Sequence, residues 1–320
     1  MTVLAPAPSD RLARFTADVE KAFPIIGRTV SAYVGELRNR PEYPAEAARL
    51  LDLADRLGGA VGLDADGVLD AFAEFCLTFL REQEEFLKTG EYRNAARGFE
   101  HVRAEVYDDD EYMTSYMVGH LLSCVVFPHH FEQFRFFQTR FVPALPGDAN
   151  VFEFGQGHGL WLSECLAGHP ARRGTGVDVS PTCVAMAGEM MKLRGIGPDR
   201  VSLSYGDAVR YDLGGMVYDG MIASGLLEHI EDPAAFLVRV RKNLRPGSGR
   251  LFTMVPTNTA HPDHLVLFRE TDEIRRLFRD AGFAIVEERD LEQGTLGVER
   301  PAGAASRLHL AILASAGDKP

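Results

Sequence analysis

The stretch Val151-Phe-Glu-Phe-Gly-Gln-Gly-His-Gly159, followed by Leu160-Trp-Leu-Ser-Glu-Cys-Leu166, constrains this chain more than any other. An apolar run containing Glu153 breaks into glycines at 155, 157 and 159, and apolar residues then resume at helical spacing through Leu160, Leu162 and Leu166. This reads as a buried strand, a glycine turn and a helix start. Glycine is required where the turn uses backbone angles closed to other residues, and a missing side chain lets a ligand lie against the main chain. The turn therefore reads as a ligand cradle, with a plain tight loop as the alternative.

Glycine spacing separates the two ligand families that use such a cradle. A dinucleotide fingerprint places its third glycine at position 160, where Leu160 stands, which argues against a nicotinamide cofactor. Downstream, Gly174-Thr-Gly-Val-Asp178 reads as a short strand ending in an acid, 19 residues beyond Gly159 and followed by the helix start Ser180-Pro181. Val201 to Tyr205 is a third strand closing on Gly206-Asp207-Ala208. A fourth strand, 218–223, leaves the sheet at Ser224-Gly225 and runs into Leu226-Leu-Glu-His-Ile230. Asp232-Pro233 caps a helix over 234–244, and Arg245-Pro-Gly turns into a strand over 250–255.

Five segments in this order resemble the class I S-adenosylmethionine-dependent methyltransferases, over roughly the last 170 residues. The resemblance implies an α/β fold: a seven-stranded, mostly parallel sheet with helices on both faces, its last two strands, 284–290 and 307–314, forming a hairpin. It implies that Glu153, Gly155, Gly157, Gly159, Asp178, Asp207, Ala208 and Ser224 hold S-adenosylmethionine. Asp178 would accept the ribose hydroxyls, Asp207 the adenine amine, and the Ala208 amide would serve a ring nitrogen. His229 lies just past a strand end, where open α/β sheets bind ligands, and imidazole can take a proton near neutral pH. The other reading of His229 is scaffold.

Residues 1–146 form a second expected domain, an all-helical cap ahead of a methyltransferase domain over 147–320, with Pro143-Ala-Leu-Pro-Gly-Asp148 at the boundary. Apolar stripes predict a helix from Leu12 to Phe23 interrupted by Pro24, a short one over 45–57 closed by Gly58-Gly59, and one over Val68 to Leu87 ended by Gly90. Tyr112, Tyr116 and His120 recur every four residues along one helix side, which Pro128 bends or ends. Such a stripe is either a core boundary or, as the resemblance implies, a lid over the cofactor. In the second reading Tyr112 and Tyr116 face the transferred methyl, with Tyr116 also touching the cofactor, and the aromatic faces favour a sulfonium.

Residues 1–147 carry 15 Lys and Arg against 23 Asp and Glu, and the whole chain has net charge −12, which argues against a phosphate backbone as partner and for a small molecule. The longest mid-chain apolar run, Leu121 to Phe127, is too short for a membrane span, which needs about 20 residues. Residues 1–10 lack a basic start and apolar core, so no secretion signal is expected. Cysteines 76, 124, 165 and 183 lack metal spacing and read as reduced core thiols, with the cytoplasm as default compartment. His229, His261 and His264 invite a metal, and the His-x-x-His spacing at 261 to 264 can reach one ion, but no Cys or acidic third ligand is fixed by the sequence, and no metal is assigned. The apolar helical addition offers a homodimer surface.

The leading expectation is methyl transfer to a small metabolite at an O, N or C acceptor. Two alternatives stand beside it. One cyclises or transfers the aminocarboxypropyl arm of the same cofactor, releasing methylthioadenosine; the other is a non-catalytic cofactor-binding protein.

Overall fold

The structure is a computed structural model that describes residues 8–294, 296 and 305–317. Residues 1–7 of the N-terminal stretch read for a secretion signal and most of the Gly- and Ala-rich connection before the last strand lie outside the described residues.

Helices fill the first part of the chain: α1 (Pro8–Ala22), α2 (Pro24–Leu37), α3 (Tyr43–Ala60), α4 (Ala65–Thr89), the short α5 (Phe99–Val102), α6 (Asp110–Val126) and α7 (Pro128–Phe136). Their ends follow local chemistry. Pro24 and Pro128 each open a helix, where proline's missing N–H costs nothing. The Asp64 carboxylate accepts from the Gly67 amide to start α4, which ends on Gly90 in the left-handed region at φ 75°. Asp109 caps α6 by accepting from the Tyr112 amide, and Phe127, extended ahead of Pro128, ends it.

One expected end was misplaced. Gly58 and Gly59 do not close α3, which continues to Ala60. A Cβ on Gly58 would meet Val68 Cγ2 at 2.5 Å, so this glycine lets α3 approach α4 closely, and Gly62, at φ 91°, follows the true end. Gly119 does the same for α6 on α4, where a Cβ would lie 2.6 Å from the Ala71 carbonyl oxygen.

From residue 150 onward strands and helices alternate: β1 (Asn150–Phe154), α8 (Leu160–Leu166), β2 (Arg173–Asp178), α9 (Pro181–Leu193), β3 (Val201–Tyr205), β4 (Gly220–Ser224), α10 (Pro233–Asn243), β5 (Arg250–Thr257), α11 (Thr271–Asp280), β6 (Phe283–Glu292) and β7 (Arg307–Ser315). They form one seven-stranded sheet in the order β3-β2-β1-β4-β5-β7-β6. Strands β1 to β5 pair in parallel, while β7 pairs antiparallel with both β5 and β6. The expected hairpin is present. The order reverses between β1 and β4, and ligands of open α/β sheets bind outside the strand carboxyl ends at such a reversal.

The two parts of the chain share a core. One buried apolar cluster joins Leu12 and Val30 of the first helices to Phe131, Leu162 and Met190, and on to Phe252 and Leu310 of the sheet. Arg172, 2% exposed, reinforces the junction: its guanidinium donates to four carbonyls, those of Val142, Leu145 and Pro146 in the connector and of Cys165 near the end of α8.

Candidate functional site

A cavity of about 340 Å³ lies between the helices and the carboxyl ends of the strands, within the roughly 300–1,000 Å³ range of small-molecule sites. Its walls come from Phe75 of α4, Tyr116, Met117 and His120 of α6, and Gln133 of α7 on one side. On the other side are the turns after β1, β2, β3 and β4 and the segment after β5.

The glycine turn forms its floor. Gly155, Gly157 and Gly159 sit at φ 63°, 50° and 78°, a conformation that side chains rarely adopt. Gly155, Gln156 and Gly157 line the cavity, whereas Gly159 does not. A Cβ on Gly159 would meet Ala187 Cα at 3.0 Å, so the third glycine seats α8 against α9. Glu153 is likewise buried away from the cavity, 1% exposed, and its carboxylate accepts from the Leu162 amide at 3.0 Å. That bond fixes the start of α8 beneath the turn, and burial pushes the Glu153 carboxyl well above its ordinary range.

Asp178, at the end of β2, faces the cavity. Its carboxylate accepts from the Gly157 and Ser180 amides at 2.9 Å each, which ties the glycine turn to the second strand. Burial raises its pKa to about 6 against the pull of those amides. Asp207 and Ala208 line the same cavity after β3, with the Asp207 carboxylate accepting from the Val209 amide at 2.7 Å. Ser224 lines it at the end of β4, its hydroxyl accepting from the Gln133 side chain at 3.0 Å.

The two tyrosines part company. Tyr112 and Tyr116 stack as their spacing requires, ring centroids 5.8 Å apart and planes within 4°. One helical turn advances about 5.4 Å along the axis, however, and this carries Tyr112 out of the cavity. Tyr116 lines the cavity at the strand ends, with its ring 4.7 Å from that of His261, while Tyr112 lines a different pocket with Glu82, Tyr92 and Arg93. The Tyr112 hydroxyl is buried there with no hydrogen-bond partner.

The opposite end of the cavity is a cluster of ionisable groups centred on Asp263, 5% exposed. His261 Nδ1 lies 2.7 Å from Asp263 Oδ1, and the Tyr107 hydroxyl donates to Oδ2 at 3.1 Å. His229 Nδ1 approaches Oδ2 at 3.4 Å and the Asp263 carbonyl oxygen at 3.0 Å. Burial would raise the Asp263 pKa, but His229 and His261 overcome it and hold the carboxyl far below the usual range. His229 shows the reciprocal effect: burial pulls its pKa down, yet Asp263 and Glu228 leave it above the ordinary value. Such a cluster can hold a charged or proton-yielding group in a fixed position.

Tyr107, Glu228 and Asp263 were not singled out from the sequence as site residues. Tyr107 ends a π-helical turn, Arg103–Tyr107, and Asp263 sits in the irregular segment after β5. The three histidines weighed together for a metal are not equivalent in the structure. The His261 and His264 rings are 5.8 Å apart, and His264 packs edge-on against His229 at 4.9 Å, alongside Glu228.

A family model described as a methyltransferase domain matches residues 129–288, half of the chain. No curated protein matches the chain. Among solved structures, the mitomycin 7-O-methyltransferase MmcR is similar at 17% identity, over 75% of this chain and 68% of that one, with a TM-score of 0.51. The O-methyltransferase NcsB1 from neocarzinostatin biosynthesis, solved with S-adenosylmethionine and 2-hydroxy-5-methyl naphthoic acid, is similar at 15% identity over 77% and 70%, TM-score 0.49. A methyltransferase from Thiobacillus denitrificans, solved with S-adenosyl-L-homocysteine, is similar at 16% identity over 56% and 90%, TM-score 0.44. With the family model spanning the glycine turn, both acid-bearing strand ends and His229, this chain belongs to the methyltransferase-domain family and is an S-adenosylmethionine-dependent methyltransferase.

Proposed function

We propose that the chain methylates a small metabolite enclosed between its helices and its sheet. The observation that carries this reading is the enclosure itself: one cavity has cofactor-type groups at one end and a buried ionisable cluster at the other. The acidic surface supports a small acceptor rather than a nucleic acid.

The residues present fit the cofactor. Gly155 and Gly157 leave main chain open to the cavity, and both polar atoms of the buried Gln156 amide lack a partner. The Asp178 carboxylate keeps lone pairs beyond the two amides it accepts from, and these suit a ribose diol. Asp207 and the Ala208 amide offer the acceptor and donor an adenine edge requires, and Ser224 lies at the strand reversal between them and the helices. Bound S-adenosylmethionine supplies an electrophilic methyl carbon on a good leaving group.

The chain's own work is then positioning, exclusion of water and proton handling. Phe75, Met117 and Tyr116 close the cavity on the helical side, and the Tyr116 ring presents a π face suited to a cation. At the acceptor end, His229 is oriented through Nδ1 by the Asp263 carbonyl and Tyr107, which leaves Nε2 for the proton of a hydroxyl, amine or carbon acid. Glu153 and Gly159 serve this site from beneath, by holding the turn and α8 in place. Four buried free thiols suit a reducing compartment, and we assign the protein to the cytoplasm.

The test is mass spectrometry of adenosyl products after incubation with S-adenosylmethionine, alone and with a metabolite extract. S-adenosylhomocysteine formed only with extract is the expected outcome. Methylthioadenosine formed without extract would replace this reading with aminocarboxypropyl chemistry.

A further inference from the structure

Three cavity-lining side chains, Glu228, His229 and His264, present ligand atoms that all lie within 4.8 Å of one another. The two imidazoles are set up alike. His264 Nδ1 lies 2.8 Å from the Thr259 carbonyl oxygen, and His229 Nδ1 lies 3.0 Å from that of Asp263. A carbonyl only accepts, so in each neutral ring Nδ1 carries the proton and Nε2 is left with its lone pair. Nδ1–H bonded to a carbonyl with Nε2 free is the arrangement that orients metal-bound histidines.

Glu228 supplies an independent observation. The residue is 2% exposed and lines the cavity, and its Oε2 has no hydrogen-bond partner. The nearby His229 Nε2 stands 3.7 Å from Oε1, beyond hydrogen-bonding distance. Both amides after His264, Leu265 and Val266, donate to the Glu228 carbonyl, so the 228–229 and 264 segments are fastened together by main chain. A buried carboxylate with an unpartnered oxygen is costly unless a cation compensates it.

We propose that Glu228, His229 and His264 form a binding site for a divalent first-row transition-metal ion inside the acceptor end of the cavity. Two imidazole nitrogens and one carboxylate favour zinc, iron, manganese or cobalt over magnesium or calcium, which prefer all-oxygen shells. Ligand atoms on one ion at about 2.1 Å can be no more than about 4.2 Å apart, so the trio closes slightly on binding. Three protein ligands leave open positions toward the cavity, where an oxygen of the acceptor can bind; with an ion in place, His229 Nε2 is a ligand and no longer the proton acceptor, and the ion would lower the pKa of the oxygen it binds instead. His261 is not one of the residues whose ligand atoms converge, and its ring stands 5.8 Å from that of His264.

The experiment uses the full-length protein, stripped with a chelator and titrated with Co²⁺ alone by visible absorption and with Zn²⁺ alone by calorimetry. We expect saturable binding at a stoichiometry near one, with a d–d spectrum, and a rise in melting temperature with Zn²⁺. His264→Ala and the near-isosteric Glu228→Gln should each weaken Co²⁺ binding by roughly tenfold or more. Absence of saturable binding, or Co²⁺ affinity unchanged in both variants, overturns the site; if His264→Ala does not fold, Glu228→Gln alone decides. S-adenosylhomocysteine binding to the metal-free protein, followed in parallel, reports on the cofactor end separately, so failure of the metal site and failure of the methyl-transfer reading give different results.

Discussion

The two ends of the cavity are built by opposite means. At the glycine-turn end, groups come from three successive strand ends and much of the work is done by main chain: the left-handed glycines, and the Gly157 and Ser180 amides on Asp178. At the Asp263 end, side chains arrive from three separate stretches, around 107, 228 and 263, and their charges are buried against one another. Local main chain makes a general cradle. Convergent buried side chains make a particular one, and they make stability and chemistry hard to separate there.

The largest effect that would sharpen this contrast is at Asp263. Replacing it with Asn removes the anion shared by His229, His261 and Tyr107, and should lower stability by about 3–5 kcal/mol, the usual result of breaking a buried charge pair. Urea denaturation measures it, and a loss under about 1 kcal/mol would mean that the cluster is held by its surroundings instead. Asp178→Ala should act on ligand more than on fold, weakening S-adenosylhomocysteine binding by about 1–3 kcal/mol in calorimetry. Unchanged affinity would remove Asp178 from the cofactor end.

A pH series tests the same carboxylate without mutation. Because burial raises the Asp178 pKa to about 6, the folded protein retains this proton where the unfolded chain has lost it. Ionisation therefore costs stability as pH rises between the ordinary carboxylate range and about 6, while acceptor capacity for the ribose is gained over that upper flank. Cofactor affinity should rise as pH increases through about 6 and then level off in calorimetry at several pH values. An affinity that is flat across this range in wild type would show that the carboxylate is not the ribose acceptor. The smallest effect belongs to Tyr112→Phe. Its hydroxyl is buried without a partner outside the cavity at the strand ends, so turnover should hold and stability should stay within about 0.5 kcal/mol. Tyr116→Phe, measured alongside, should alter the kinetics if its hydroxyl meets ligand.

How much of each end was legible in the sequence follows from how it is built. Strand, glycine turn and helix occupy one continuous stretch, and an acid at the end of a following strand is readable by spacing; Asp178 and Asp207, picked out that way, both line the cavity. Spacing also predicted the stack of Tyr112 on Tyr116, but not which ring would meet the cavity, because that depends on where α6 stops against the sheet. The three-residue separation of His261 and His264 left their directions open, because in an irregular segment it fixes none; His261 engages Asp263, and His264 packs on His229. Tyr107 carried no pattern at all, since a π turn breaks the periodicity on which such reading depends.

The Arg172 side chain bears on what counts as a part of this protein. The sequence invites a cut at residue 147, ahead of the first strand. Three of the four carbonyls that receive Arg172 belong to residues 142–146, upstream of that cut, and the apolar cluster continues far into the helices. A fragment starting at 147 would keep a guanidinium folded inward with most of its acceptors gone, and a sheet face stripped of its cover. The sheet and its helical addition differ in secondary structure, but expression of the sheet alone should yield an aggregating chain rather than a small methyltransferase.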